Sequence, residues 1–452
     1  MYLMQKLLST FMFIVMLLGV ATAASLDGVY HADRFRVYFK NDLGSIEVLE
    51  TRGGAITGFE SFDQLLLEVG ATNVKQWLPK ATDFDRDGDI FLSRFYEVTL
   101  PDVRMNIQEV VSEFSSDEHI LFAERVPIYR LDYEPNDPKY SQQWYIPQVT
   151  ADDAWDMWDI AGGDNPGDEN IVVGIVDTGC DWDHPDLIDN LWQNMDEDYD
   201  GDGATIEYVS GSWQLDSGDL NGVDDDGDSY VDNLIGWDIA MEDNNPVGPP
   251  SGPDRMHGTH VAGVPGATTN NNLGMASIGW TVKHMPIKCA QEDADGIYGG
   301  YNGILCAAQT GADIINCSWG GGGYSSGEQN VINVAYNNYE AIIVAAAGNG
   351  DDYGNEEYAA HYPSSYENVI SVTALGTNDV WNHWATYHES VDFAAPGESI
   401  LSTVYANVSG GYQSWMGTSM ASPVVAGSYA LLWSYFSKCR SRLGRAASPR
   451  NC

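Results

Sequence analysis

The 452-residue chain carries its most reactive side chains in short, glycine-flanked segments that lie far apart. Asp177-Thr178-Gly179 closes the apolar run NIVVGIVD and so puts a carboxylate where a strand would end. His257-Gly258-Thr259-His260-Val261-Ala262-Gly263 sets an imidazole at the start of an apolar helical segment. Gly417-Thr418-Ser419-Met420-Ala421-Ser422-Pro423 does the same with a hydroxyl, and AAAGN ends another apolar run on the amide of Asn349. These are the parts of nucleophilic acyl transfer. A serine hydroxyl needs a base within hydrogen-bond reach to take its proton, and imidazole, with an ordinary pKa of about 6.5, is suited to that work near neutrality. A buried carboxylate fixes the imidazole tautomer and stabilises the imidazolium that forms. A helix N-terminus beneath Ser419 and the Asn349 amide supply donors for a developing oxyanion.

The elements that must position these groups are legible in the hydrophobic period. From Tyr140 onward, NIVVGIVD, KHMPIKCA, DIINCSWG, AIIVAAAG and NVISVTAL are short, nearly continuous apolar runs suited to strands buried on both faces. GILCAAQTGA and NVINVAYNNY read as helices between them. The pattern predicts an α/β fold with a doubly wound parallel sheet, whose sites form at the carboxyl ends of the strands. Residues 25 to about 131 differ. RFRVYF, NVKQWL, RFYEVTL and ILFAERVPIYRL read as strands, with SFDQLLLEVGA and NIQEVVSEFSSD as helices. That β-α-β-β-α-β order predicts a small α+β ferredoxin-like unit, and DYEPNDPK (Asp132 to Lys139) reads as the link after it.

The order Asp, His, Ser with these motifs resembles the subtilisin-like serine proteases, the subtilases, over about residues 140–436; HPDL (His184 to Leu187), INCSWGG and HYPSSYENVISV add to the likeness. The resemblance implies a serine endopeptidase in which Asp177 orients, His257 is the general base, Ser419 the nucleophile and Asn349 the oxyanion donor. It implies that peptide or protein substrates bind as an added strand between Gly296-Ile297-Tyr298 and Ser318-Trp319-Gly320, with Ala347 and Gly348 on the other side of the first specificity pocket. Trp319 stands where a smaller aliphatic residue is usual, either narrowing a subsite or forming an aromatic wall. The ferredoxin-like unit would be a propeptide that assists folding and acts as an intramolecular inhibitor until cut near the 132–139 link. The acid-acting sedolisins, which share the fold, would carry Glu in place of His257 and Asp in place of Asn349.

No catalytic cofactor is required by this chemistry, but hard-oxygen ligands recur. Asp224, Asp226, Asp228 and Asp232 occupy positions one, three, five and nine of an EF-hand-like loop, which suits structural calcium, although Ile235 replaces Glu at position twelve. A second acidic run, EDYDGDG, spans Glu197 to Gly203. The family resemblance implies another calcium site using Asp186, Asn271 and carbonyls of the 270–275 loop. Asp83, Asp85 and Asp87 repeat the spacing with Arg94 at position twelve. His257 and His260 as a metal pair lack a third ligand, and His184 and His260 read as structural. Cys180, Cys289, Cys306 and Cys317 fall in apolar runs and read as small buried thiols; with Cys439 and Cys452 they form no CxxC pattern.

Composition sets the outer limits. With 66 acidic and 21 basic residues the net charge is −45, which disfavours nucleic acid and anionic membranes as partners. Residues 1–23 read as a secretory signal peptide, so the expected product is secreted and free of the membrane. The expected divisions are then 25–135 for the propeptide, 136–436 for the catalytic domain and 437–452 for a basic tail. That tail, SKCRSRLGRAASPRNC after Phe436, departs from the acidic chain and resembles a truncated or frame-shifted reading. A catalytically silent scaffold that binds peptide or calcium is the alternative to a protease.

Overall fold

The computed structural model describes residues 30–51, 54–101, 106–127, 133–292, 296–351 and 353–442. The expected signal peptide and the last ten residues of the basic tail lie outside these. The chain divides into two units, Met1–Leu131 and Asp132–Cys452.

In the first unit, β1 (Tyr30–Phe39), α1 (Glu60–Glu68), β2 (Asn73–Gln76), β3 (Phe95–Thr99), α2 (Ile107–Ser115) and β4 (Ile120–Pro127) follow one another. The sheet order is β2-β3-β1-β4, antiparallel throughout, which is the ferredoxin-like arrangement the periodicity predicts. Alternation along the strands sends Phe35, Val37 and Phe39 of β1 into one core with Phe62 and Leu66 of α1 and Val110, Val111 and Phe114 of α2.

In the second unit the strands are β5 (Val172–Asp177), β6 (Trp237–Asp238), β7 (Lys283–Lys288), β8 (Ile314–Cys317), β9 (Ile342–Ala346), β10 (Val369–Leu375) and β11 (Phe393–Pro396). They form one parallel sheet in the order β6-β7-β5-β8-β9-β10-β11. Every residue of β5 is buried. Val173 and Ile175 face one helical layer, containing Val261 and Ala262 of α3 (His257–Gly266) and Val424 and Val425 of α6 (Thr418–Arg442). Val172 and Val176 face the other, containing Ile304 and Ala307 of α4 (Gly300–Gln309) and Ile332 of α5 (Ser326–Asn338). Two buried faces explain the continuous apolar runs and confirm the doubly wound fold. The short edge strands β6 and β11 escape the periodic signal because two to four residues carry too little pattern, and the Pro396 that ends β11 itself reads as an edge or a stop. A hairpin, β12 (Ile400–Thr403) with β13 (Tyr412–Trp415), leads the chain into α6.

The segment 133–139 is not a free link. Asn270 and Asn271 donate backbone N–H groups to Asp137 (2.8 and 3.3 Å), Tyr133 donates its hydroxyl to Asn270 Oδ1 (2.9 Å), and Lys139 donates its N–H to the Gly274 carbonyl (2.7 Å). Asp137 accepts hydrogen bonds where the sequence reads only as a link. One buried ion pair ties the β6 edge to its neighbour: Lys288 Nζ and Asp238 Oδ2 are 2.8 Å apart, with side chains 2% and 1% exposed. Removing one partner of such a pair strands the other charge, so Lys288→Ala is expected to lower stability by about 3–5 kcal/mol. Denaturant unfolding of the variant against the parent chain measures it, and a loss below about 1 kcal/mol, as for an exposed pair, would contradict the burial argument.

Candidate active site

Three elements converge where the sheet order reverses around β5. Asp177 is the last residue of β5 and is fully buried, and His257 is the first residue of α3. His257 Nδ1 lies 2.7 Å from Asp177 Oδ1, which also accepts the Thr178 N–H at 2.7 Å. The close approach of α3 to the strand end requires Gly258: a Cβ there would sit 2.3 Å from the Gly179 carbonyl oxygen. Thr178 Oγ1 accepts the Gly258 N–H at 3.0 Å and donates to the Asp254 carbonyl at 3.1 Å, fixing the helix start.

Burial is the largest single influence on His257 and opposes its protonation. The Asp177 charge, its hydrogen bond and the more distant Asp254 together outweigh burial, so the pKa lies above the ordinary 6.5. His260, one turn on, behaves oppositely. Its ring stacks on Trp415 at 4.5 Å and its Nε2 lies 3.1 Å from the Ile400 and Gln413 carbonyls, and burial pulls its pKa down to about 3. His184 is also buried, with Nε2 on the Gly411 carbonyl and a pKa lowered to about 4. Both rings are committed to backbone carbonyls.

Ser419 is the second residue of α6. Its Oγ donates to the Ser318 carbonyl at 2.9 Å, and no hydrogen bond joins it to His257. A rotation about its Cα–Cβ bond is therefore part of forming a Ser–His contact, consistent with hydrogen bonds that tighten only with substrate present. Asn349, in the turn just after β9, has its orientation set by Thr418: its Oδ1 accepts both the N–H and the hydroxyl of Thr418 at 2.9 Å. That leaves Nδ2 as the free end. The first backbone N–H groups of α6, that of Ser419 among them, have no partner within the helix, and Asn349 and Ser419 line the same cleft.

His257, Ser419 and Asn349 open on one cleft of about 600 Å³, whose walls include Gly296, Ile297, Ser318, Trp319, Gly320 and Gly348. Two expected substrate residues are not among the lining. Tyr298 is 48% exposed and turns its backbone N–H onto the Cys289 carbonyl, while Ala347 is buried with its N–H on Val372. Ala346 and His361 take part instead; the His361 Nδ1 is 3.2 Å from the Ala346 carbonyl. The HYPSSYENVISV motif was visible in sequence, but nothing in its pattern said that its first residue faces the cleft. Trp319 is an aromatic wall: Nε1 donates to the Val176 carbonyl at 2.8 Å, and the ring meets Tyr301 edge-on at 5.6 Å.

The acidic residues are placed unevenly. Asp224 and Asp226 converge with the buried Glu197, oxygens lying within 4.8 Å of one another, and Asp228 adjoins Asp226. Asp232 turns away from that cluster, its Oδ1 accepting the N–H groups of Asn221 and Gly222 at 3.1 and 3.0 Å. Asp186 and Asn271 meet as expected: Asn271 Nδ2 donates to Asp186 Oδ1 at 2.9 Å, and Asp186 Oδ2 accepts the Met275 N–H and the Tyr412 hydroxyl. Burial raises the Asp186 pKa to about 6, with Asp137 among the contributors. Asp83, Asp85 and Asp87 form no carboxylate cluster among the described residues. Cys180, Cys289, Cys306 and Cys317 are buried and unpaired, with thiol pKa values pushed up mainly by burial.

A buried Asp–His pair, a hydroxyl at a helix start and an oriented amide on one cleft define a serine hydrolase of the subtilisin type. The Subtilase family model matches residues 168–448, and the chain belongs to that family. It is 31% identical over 369 residues to a thermophilic serine proteinase of Bacillus sp. (strain AK1), covering 81% of this chain and 73% of that one. Thermitase of Thermoactinomyces vulgaris is 34% identical over 302 residues, covering 66% and 85% respectively. An extracellular protease of Xanthomonas campestris pv. campestris is 32% identical over 348 residues, covering 73% and 55%. The chain is a serine endopeptidase.

A general base must be neutral to act, so a base role for His257, whose pKa is raised, requires kcat/KM to climb with pH through a midpoint above 6.5. Asp177→Asn should move that midpoint down and reduce kcat by about 10⁴. A pH–rate series on a chromogenic peptide tests both, and an unshifted midpoint would remove Asp177 from its place beside the base.

Proposed function

We propose that the chain is a secreted serine endopeptidase made as a zymogen, with Ser419 as nucleophile, His257 as general base, Asp177 as the group that orients it and Asn349 in the oxyanion hole. The observation that carries this is the 2.7 Å His257–Asp177 hydrogen bond at the edge of the cleft that Ser419 and Asn349 share. With a peptide strand in the cleft, Ser419 Oγ attacks the scissile carbonyl while His257 Nε2 takes its proton. The oxyanion is held by Asn349 Nδ2 and the Ser419 N–H. His257 then gives the proton to the leaving amine, and water releases the acyl group by the same route. Main-chain hydrogen bonds from the segments around Ser318–Gly320 and Gly296–Ile297 would align the strand. Secretion is supported by the apolar N-terminal segment and by relatives described as extracellular. No helix among the described residues is long and apolar enough to cross a membrane.

The ferredoxin-like unit is proposed as the propeptide and intramolecular inhibitor. The hydrogen bonds of Tyr133, Asp137 and Lys139 to the 270–274 loop support a cut at or before Tyr133, and mass spectrometry of the mature N-terminus is expected to show it there. Calcium is proposed as a structural ion at Asp137, Asp186 and Asn271. The fit rests on two buried carboxylates and an amide, with the Asp186 pKa raised by burial. A cation there would neutralise the pair and hold 133–139 against the loop.

The Ser419–Ser318 bond favours, as a second reading, a silent scaffold that keeps the cleft without the chemistry. A fluorophosphonate distinguishes the two. The processed chain should be labelled at Ser419 and Ser419→Ala should not, with kcat lower by about 10⁶ in that variant. Asn349→Ala should lower kcat by about 10²–10³. Absence of any Ser419-dependent adduct after processing would leave the scaffold.

A further inference from the structure

From Asp196 to Asp232 the chain has thirteen acidic residues and no Lys or Arg. Within this segment two loops repeat one pattern. In the first, Asp198 accepts the N–H groups of Gly201 and Gly203 (2.8 and 3.0 Å), Asp200 that of Asp202 (3.1 Å) and Asp202 that of Ala204 (3.0 Å). In the second, Asp224 accepts those of Gly227 and Ser229 (2.6 and 3.0 Å), Asp226 that of Asp228 (2.9 Å) and Asp228 that of Tyr230 (2.8 Å). Turns of this kind are common in acidic loops and carry no ligand by themselves.

What sets these two apart is a buried carboxylate brought to each from outside the loop. Glu197 Oε1 accepts the N–H groups of Asp225 and Asp226 at 2.9 and 3.3 Å, and Asp219 Oδ1 accepts those of Tyr199 and Asp200 at 2.9 and 3.3 Å. In both cases the donors are the second and third residues of the loop. Both acids are 0% exposed, and the second oxygen of each, Glu197 Oε2 and Asp219 Oδ2, is buried without a hydrogen-bond partner. A buried carboxylate oxygen with no donor is costly unless something positive meets it, and this segment has no cationic side chain to do so.

We propose that residues 197–230 form a paired calcium site, in which Glu197 completes the Asp224, Asp226 and Asp228 loop and Asp219 completes the Asp198, Asp200 and Asp202 loop. An EF-hand loop ends on a bidentate Glu at position twelve. Here position twelve falls on Val209 and Ile235, and the two off-loop acids take over that function. The carboxylate oxygens of Glu197, Asp224 and Asp226 lie within 4.8 Å of one another, as do those of Asp198, Asp200 and Asp202. Gly203, the sixth residue of its loop, has φ +93°, the turn that an EF-hand glycine makes. Hard anionic oxygens in a flexible loop select calcium over magnesium, which demands a stricter octahedron. The two sites are linked by the chain itself, since Glu197 serves one loop and Asp198 begins the other. The second loop reaches the catalytic sheet through Thr310 Oγ1 on Asp228 Oδ2 (3.3 Å) and the Tyr230 hydroxyl on Gln309 (3.2 Å), both just at the end of α4.

The experiment uses the full chain carrying Ser419→Ala, so binding is read without self-digestion and whether or not the protein is a protease. The metal-stripped protein is titrated with calcium by calorimetry, and with terbium by luminescence sensitised through Tyr199 and Tyr230. Glu197→Gln and Asp219→Asn should each lose one ion per chain relative to the parent, and the double variant two. Asp186→Asn should leave these two ions in place. Exposed Asp226→Asn and Asp202→Asn provide the same test if the buried variants fail to fold, losing one ion each. An unchanged ion count in the variants, or a parent whose ions are all lost on Asp186→Asn alone, overturns the proposal.

Discussion

The 2.7 Å contact between Asp177 and His257 is the constraint around which the second unit is arranged. Asp177 is fully buried at the end of β5, and the donors that meet it, the Thr178 amide and the imidazole delivered by α3, both reach Oδ1, leaving Oδ2 without a hydrogen-bond partner. Delivery depends on the close seating of Gly258 on Gly179 and on the hairpin β12–β13, whose Ser402 and Thr403 hydroxyls bond the carbonyls of His260 and Thr259. The same hairpin feeds directly into α6, so the segment that braces the histidine helix also presents Ser419. Site and core are therefore one packing problem, and β5, covered on both faces, is its fixed reference.

Charge is managed differently in the two halves of this arrangement. In the interior of the second unit, burial pulls down the pKa values of His260, His184 and His284, and Lys288 is paired with Asp238. In the 196–232 segment carboxylates accumulate with no basic side chain to offset them, and two of them are fully buried. That segment holds 13 of the chain's 66 acidic residues and no Lys or Arg, so a locally concentrated negative charge coexists with a conventional apolar core.

Much was legible because the relevant signals are local. The doubly wound sheet could be recognised from β5, β7, β8, β9 and β10, each a run of apolar residues with turn residues at its end, and the ferredoxin-like order of the first unit from alternation between periods of two and of 3.6. The family motifs located Asp177, His257, Asn349 and Ser419 because glycines and strand ends punctuate them. Less visible were β6 and β11, too short to show a period, and Asp137, whose burial comes from a loop more than 130 residues away. Tyr298 and Ala347 were expected at the cleft from the family resemblance and do not appear among its lining residues, whereas His361 arrives there from a segment with no periodic signal of its own.

By itself, then, the amino-acid sequence determined which residue types end which strands and begin which helices, and so the kind of chemistry available. It also determined the family and the surplus of negative charge. Only the tertiary structure decided which of those groups meet: that Ser419 rests on the Ser318 carbonyl, that Asp232 turns from its loop, and that Glu197 and Asp219 enter loops to which they do not belong in sequence. The physical reason is range. Period, capping and turn propensity act over a few residues, whereas burial, hydrogen-bond satisfaction and carboxylate proximity depend on the packing of distant segments, and no local pattern encodes the neighbour that closes them.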